Sequence, residues 1–297
     1  MDRSGAEVGA HPTTGEPIRE RLLAGIPVTE RRLALAGHRT AVLEGGDGPP
    51  VVLLHGGGEF AACWMRVIPE LVPAHRVIAP DLPGHGASAL AGEPLDAAGV
   101  VAWVADLIER TCPSPPALVG HLLGGAVAAR FAIEHPDRLS RLVLVDSYGL
   151  GRFWPTPRYA LAMLAFAARP AEGTQERLFR QCVLDLDGLR EQLGERGRLV
   201  EAYALDRART PATKAALKQL MPQLGVRAIP PGELARIAVP TSLIWGRHDR
   251  QVRLELAEDA SARYGWPLHV IEQAADDPAF EQPGAFLRAL RATLGSA

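Results

Sequence analysis

Gly120-His121-Leu122-Leu123-Gly124-Gly125 follows the apolar run Ala117 to Val119 and leads into a stretch of helical character. A strand that breaks at a glycine and resumes at once as a helix makes a sharp turn, and Leu122 stands at its apex. Working outward, short apolar runs recur at Arg32 to Leu35, Thr40 to Leu43, Val51 to Leu54, Arg76 to Ala79, Leu142 to Val145, Ser242 to Trp245 and Leu268 to Ile271. The first two, split by Gly37-His38, read as a hairpin. The later ones are continuous and apolar, as expected of parallel strands covered on both faces. Helical patterns at Ala97 to Arg110, Gly124 to His135, Val252 to Tyr264 and Pro283 to Leu294 alternate with them, which predicts a doubly wound α/β sheet.

The rhythm breaks between Asp146 and Thr241, where about ninety residues show helical periodicity, interrupted by prolines such as Pro155, Pro170, Pro211 and Pro230. This predicts a helical insertion, residues 147–240, between two strands of one core made of residues 26–146 and 241–297. Residues 1–25 have no apolar segment of the kind a signal peptide needs and are expected to form a mobile tail.

The 297 residues are 47% hydrophobic with a formal charge of −2, which suits a globular protein and suggests neither a nucleic-acid nor a membrane partner. Arginine supplies all but Lys214 and Lys218 of the basic residues, so no catalytic lysine is implied. Cys63, Cys112 and Cys182 lie far apart without metal-ligand spacing and read as reduced packing residues, pointing to a cytoplasmic protein. Neither a phosphate-cradling loop nor a metal-ligand cluster is present, so no cofactor and no metal are expected. The oligomeric state stays open.

Four more motifs line up with the opening one. His55-Gly56-Gly57-Gly58-Glu59, Asp81-Leu82-Pro83-Gly84-His85-Gly86, Trp245-Gly246-Arg247-His248-Asp249 and Asp276-Asp277-Pro278-Ala279-Phe280-Glu281-Gln282-Pro283 each follow a strand. In this order they resemble the α/β-hydrolase superfamily, particularly its members with a helical cap, over about residues 30 to 295. The resemblance implies a mostly parallel eight-stranded sheet with helices on both faces. It also implies a nucleophile at position 122, an acid at Asp249 and a histidine at position 276. Leucine and aspartate occupy the first and last of these places.

Leucine has no lone pair to attack a carbonyl, and without imidazole at position 276 no neutral-pKa base stands there. Backbone donors survive such replacements, so the Leu123 N–H and the loop around Gly57 and Gly58 remain as an expected oxyanion site, with Leu122, Trp64 and Trp154 as expected pocket walls. Asp249, Asp276, Glu59 and His121 are the candidate proton carriers. Two close carboxylates resist double ionisation and can serve as acid and base; the plainer reading of Asp276 is a solvated loop charge. Asp146, at a strand end, is a second candidate acid. The expected function is therefore a non-hydrolytic enzyme of lyase, isomerase or cyclase type acting on a mainly apolar small carbonyl substrate, in small-molecule biosynthesis. The alternatives are a non-catalytic pseudo-hydrolase that binds a ligand or a partner, and a weak hydrolase using carboxylate-activated water.

Overall fold

The computed structural model describes residues 15–90 and 95–295. Eight strands form one sheet: β1 (Thr29–Leu35), β2 (His38–Gly45), β3 (Pro50–Leu54), β4 (Arg76–Pro80), β5 (Ala117–His121), β6 (Arg141–Val145), β7 (Thr241–Gly246) and β8 (Leu268–Ile271). Their spatial order is β1-β2-β4-β3-β5-β6-β7-β8. The hairpin β1–β2 and the pair β2–β4 are antiparallel, and every later pairing is parallel. Parallel neighbours need crossover connections, and these supply the helices.

The helices are α1 (Glu16–Leu23), α2 (Ile68–Leu71), α3 (Ala97–Thr111), α4 (Leu123–Glu134), α5 (Pro157–Ala168), α6 (Glu172–Cys182), α7 (Leu186–Leu193), α8 (Glu195–Arg209), α9 (Pro211–Leu220), α10 (Pro231–Leu234), α11 (Leu254–Tyr264), α12 (Pro278–Glu281) and α13 (Pro283–Leu294). Successive residues of a strand point to opposite faces, and both faces are buried. In β6, Leu142 and Leu144 join one core with α3, α4 and α11, while Val143 and Val145 join the other with Phe286 and Leu290 of α13. That two-sided burial is why the central strands read as unbroken apolar runs.

The 95 residues between β6 and β7 contain six α-helices and no strand. They lie over the C-terminal ends of the strands: a methyl group on Gly57 would meet Leu217 of α9 at 3.2 Å, and Asp276 donates its N–H to the Cys182 carbonyl at 3.1 Å.

The chain's start differs from the sequence expectation. Residues 1–14 of the expected mobile tail lie outside the described residues, but Glu16–Leu23 is helical. Leu22 and Arg19 of α1 are buried, and Arg19 pairs with Glu30 at 2.6 Å and Asp81 at 2.9 Å and donates to the Tyr203 hydroxyl of α8 at 3.3 Å. The helix escapes a periodicity search because it buries mainly one leucine and an arginine, and its remaining surface is polar. No helix among the described residues is long and apolar enough to cross a membrane.

Candidate functional site

The turn at the end of β5 holds its sharp geometry. Leu122 has φ 47° and ψ −108°, a region that costs a non-glycine residue about 1–3 kcal/mol. The glycines around it permit the helix to press on the sheet: a Cβ on Gly120 would lie 2.4 Å from the Gly124 carbonyl oxygen, and one on Gly124 would lie 2.5 Å from that of Leu54. The Leu122 side chain, 5% exposed, joins the core beneath the insertion. Leu123 opens α4, so its N–H has no acceptor within the helix.

Across from this turn, the loop after β3 is fixed by charge. Glu59 folds back so that its carboxylate accepts the Gly56 N–H at 2.7 Å and the His121 Nδ1–H at 3.1 Å. The other ring nitrogen, Nε2, sits 2.5 Å from the Asp276 carbonyl oxygen. Both neighbours are acceptors, so both ring nitrogens carry protons and the ring is an imidazolium. Burial alone would lower the His121 pKa, but Glu59, aided by Asp277 and Asp146, holds it well above the usual histidine range. Burial would raise the Glu59 carboxyl, and His121 instead holds it below the usual carboxylate range. The Trp64 ring stands edge-on to the imidazolium, 6.2 Å between centroids.

The remaining acids are gathered without such cations. Asp249 accepts the Gln251 and Val252 N–H groups on Oδ1, at 2.6 and 2.9 Å. Burial nevertheless pushes its carboxyl up to about 7, against the pull of those donors and of His121. Asp146 accepts the Gly246 N–H at 2.9 Å on Oδ1; burial and then the charge of Asp249 drive its carboxyl well above the usual range. Asp276 is only 4% exposed, so it is no solvated loop charge, and burial together with Asp249 raises its carboxyl too. Asp277 caps α12 by accepting the Phe280 N–H at 3.1 Å, and burial lifts it to about 7.

Of the residues singled out from sequence, Asp249, Asp276, Glu59 and His121 therefore do come together, with Gly57, Gly58, Leu122, Leu123 and Trp64 around them. Glu59 serves His121 and its own loop rather than an open mouth. Trp154 does not belong: it is 59% exposed, with the Arg152 guanidinium 4.8 Å from its ring centre, because its segment runs over the outside of the insertion. Sequence reasoning missed Tyr148, a buried phenol that feels the charges of Asp276 and Asp249, and did not foresee that the carbonyl of Cys182, read as a packing residue, accepts the Asp276 N–H. It also left Glu281 unexplained: its carboxylate accepts the Ala275 N–H at 2.7 Å and the Leu184 N–H at 2.6 Å, tying the Asp276 loop to the insertion. No local pattern announces such contacts, because each joins segments far apart in the chain.

No group of three or more His, Cys, Asp or Glu among the described residues is arranged to hold a metal ion. A surface groove of about 460 Å³ lies elsewhere, lined by Val28, Glu44, Asp47 and Arg76 at the start of β4. Its Glu44 is already paired with Arg31 and Arg76.

A family model described as the alpha/beta hydrolase family matches residues 51–289. Pimeloyl-[acyl-carrier protein] methyl ester esterase of Aeromonas hydrophila is 30% identical over 257 residues, covering 84% of this chain and 97% of that protein. 2-Hydroxymuconate semialdehyde hydrolase of a Pseudomonas species is 30% identical over 238 residues, 77% of this chain and 80% of that one. Among solved structures, 2-hydroxy-6-oxo-6-phenylhexa-2,4-dienoate hydrolase from a Rhodococcus species superposes with a TM-score of 0.78 at 26% identity, over 90% of this chain and 98% of that one. These relatives bear the names of hydrolases. They overturn the expectation of a lyase, isomerase or cyclase and that of a non-catalytic pseudo-hydrolase, both of which had been argued from the side chains at positions 122 and 276. The backbone around Leu122 keeps a strained turn at the head of a helix, whose first N–H groups have no intrahelical acceptor.

Proposed function

Because this chain belongs to the α/β-hydrolase family, we propose that it is a hydrolase of a small ester or comparably activated carbonyl compound, and that it delivers water directly. Direct delivery follows from the replacement of two family positions: Leu122 cannot form an acyl-enzyme, and Asp276 stands where the family places its histidine. The carbonyl oxygen is held by the Leu123 N–H and the loop at Gly57 and Gly58, where charge develops as the carbonyl becomes tetrahedral. Asp249 takes a proton from water as its oxygen bonds to the carbonyl carbon, then returns that proton to the departing alkoxide. His121, held cationic by Glu59, keeps the potential near the acids positive enough for one carboxylate to persist.

The observation that carries this reading is the state of Asp249. A general base works best with a pKa near the working pH, and its carboxyl lies at about 7. The relatives' names suggest the substrate class, with methyl esters and dienoic carbonyl compounds the first to try.

The test is hydrolysis of a panel of methyl and aryl esters by wild type and Asp249→Asn, with intact-protein mass spectrometry during turnover. We expect ester cleavage that falls about 10²- to 10⁴-fold in the variant, with no acyl adduct on the protein. An acyl adduct, or turnover indifferent to Asp249→Asn, overturns the mechanism; no cleavage of any member of the panel overturns the hydrolase reading for that substrate class.

A further inference from the structure

Asp146 plays no part in the mechanism so far, yet it is the most enclosed acid of the site, with no solvent exposure. Its backbone is held at φ 42°, a left-handed conformation uncommon for aspartate. Its own N–H is committed to the Ile244 carbonyl of β7 at 3.2 Å, and its Oδ1 takes the Gly246 N–H. Both bonds pull the side chain under the loop that carries Asp249.

There the hydrogen bonding leaves two gaps. Asp146 Oδ2 and Asp249 Oδ2 are both buried, and each lacks a hydrogen-bond partner. The backbone N–H groups of Gly246, Gln251 and Val252 all go to Oδ1 atoms of the two acids. A buried carboxylate oxygen without a donor is costly, and two of them close together are costlier still, since both groups would also be charged. Gly246 bridges the two acids, its N–H going to Asp146 Oδ1 and its carbonyl accepting the Asp249 N–H at 3.4 Å, which sets the two side chains against each other. One proton placed between the two free oxygens answers both gaps: the acid becomes a donor, the carboxylate accepts, and one charge is removed.

We infer that Asp146 and Asp249 hold one proton between their Oδ2 atoms, Asp146 as the acid and Asp249 as the carboxylate, which makes Asp146 the residue that positions and tunes the base. This deepens the hydrolase reading and rests on it for its catalytic meaning, though the shared proton is a property of the resting protein. The groups that face the pair are consistent with that assignment. From the end of β5, the His121 imidazolium favours the ionised form of both acids, and from the loop after β8, Asp276 disfavours it for Asp146. Tyr148, on the segment after β6, is a buried neutral phenol. Asp249 has two backbone donors on Oδ1 where Asp146 has one, so Asp249 is the better place for the charge.

The experiment needs no substrate, so its failure is separable from failure of the hydrolase reading. The full chain is labelled with ¹³C at the aspartate carboxyls and titrated by NMR from about pH 4 to about pH 10, as wild type, Asp146→Asn, Asp146→Ala and Asp249→Asn. In wild type, the resonance that vanishes in Asp146→Asn should remain at its protonated position through neutral pH, while the one that vanishes in Asp249→Asn titrates near neutrality. Asparagine at 146 keeps an N–H donor for Asp249 and an oxygen for the Gly246 N–H, so the Asp249 midpoint should stay near its wild-type value. Alanine removes the donor and should raise that midpoint. In Asp249→Asn the Asp146 midpoint should fall, because its charged neighbour is gone. If Asp146→Ala does not fold, the wild-type, Asp146→Asn and Asp249→Asn titrations decide alone. An Asp146 resonance already ionised at mildly acidic pH, or one whose midpoint is unchanged in Asp249→Asn, overturns the inference.

Discussion

The two banks of the site handle buried charge in opposite ways. On the β3–β5 side, Glu59 and His121 face each other as an ion pair, and Glu59 also takes a backbone N–H while His121 donates to a carbonyl. On the β6–β8 side, Asp146, Asp249 and Asp276 crowd together with no arginine or lysine paired to them among the described residues, and their carboxyls are held up in pKa. A satisfied pair is rigid and chemically quiet, whereas an under-compensated set of acids keeps a proton poised for transfer near neutral pH. One bank holds the frame, and the other has the capacity to react.

The comparison can be pressed hardest at the turn itself. The backbone at Leu122 already has the strained geometry from which a side chain projects over the sheet edge. Leu122→Ser combined with Asp276→His should therefore take labelling by a serine-directed fluorophosphonate from none to stoichiometric, read by intact mass, while Leu122→Ser alone stays unlabelled for want of a base. Labelling of the single variant would mean that the acid bank already supplies that base. Next in size is the frame: His121→Ala strands the Glu59 charge and should cost about 3–5 kcal/mol in denaturant unfolding. Glu59→Gln should cost much less, because the amide oxygen still accepts from Gly56 and His121.

The smallest effect lies on the reactive bank. The Asp276 carboxyl is raised in the folded state, so folding favours its protonated form. Its contribution is favourable at low pH and turns into a penalty as pH climbs above the unfolded value of about 3.9 toward the folded one. Asp276→Asn removes that penalty. The variant's Tm should exceed wild type at pH 8, by about 2–4 °C per kcal/mol in a chain of this size, and the gain should vanish near pH 4. A gain independent of pH would assign the effect to packing.

Much of this was legible in the chain. The central strands announced themselves as apolar runs because both of their faces are covered, and α13 was readable to the residue, Pro283–Leu294. The edge strand β1 was read short, beginning at Arg32 instead of Thr29, because half-exposed polar residues blur its alternation. Motif order brought Asp249, Asp276, Glu59 and His121 to one place. It could not show that Glu59 would turn inward to His121, a partner 62 positions away, or that Trp154 would face outward. The functional expectation went astray by weighing two replaced side chains, at positions 122 and 276, above the backbone that carries them. A hydrolase's turn is a property of main-chain angles and glycines, and those persist here.

Glu281 links the Ala275 and Leu184 N–H groups, and Asp276 and Arg250 reach to the carbonyls of Cys182 and Val183. The cover over the site is thus bolted to the very loop that bears one of its acids. Lifting it along that edge would dismantle the reaction centre in the same motion, so on this side the cover and the acid beneath it behave as one body.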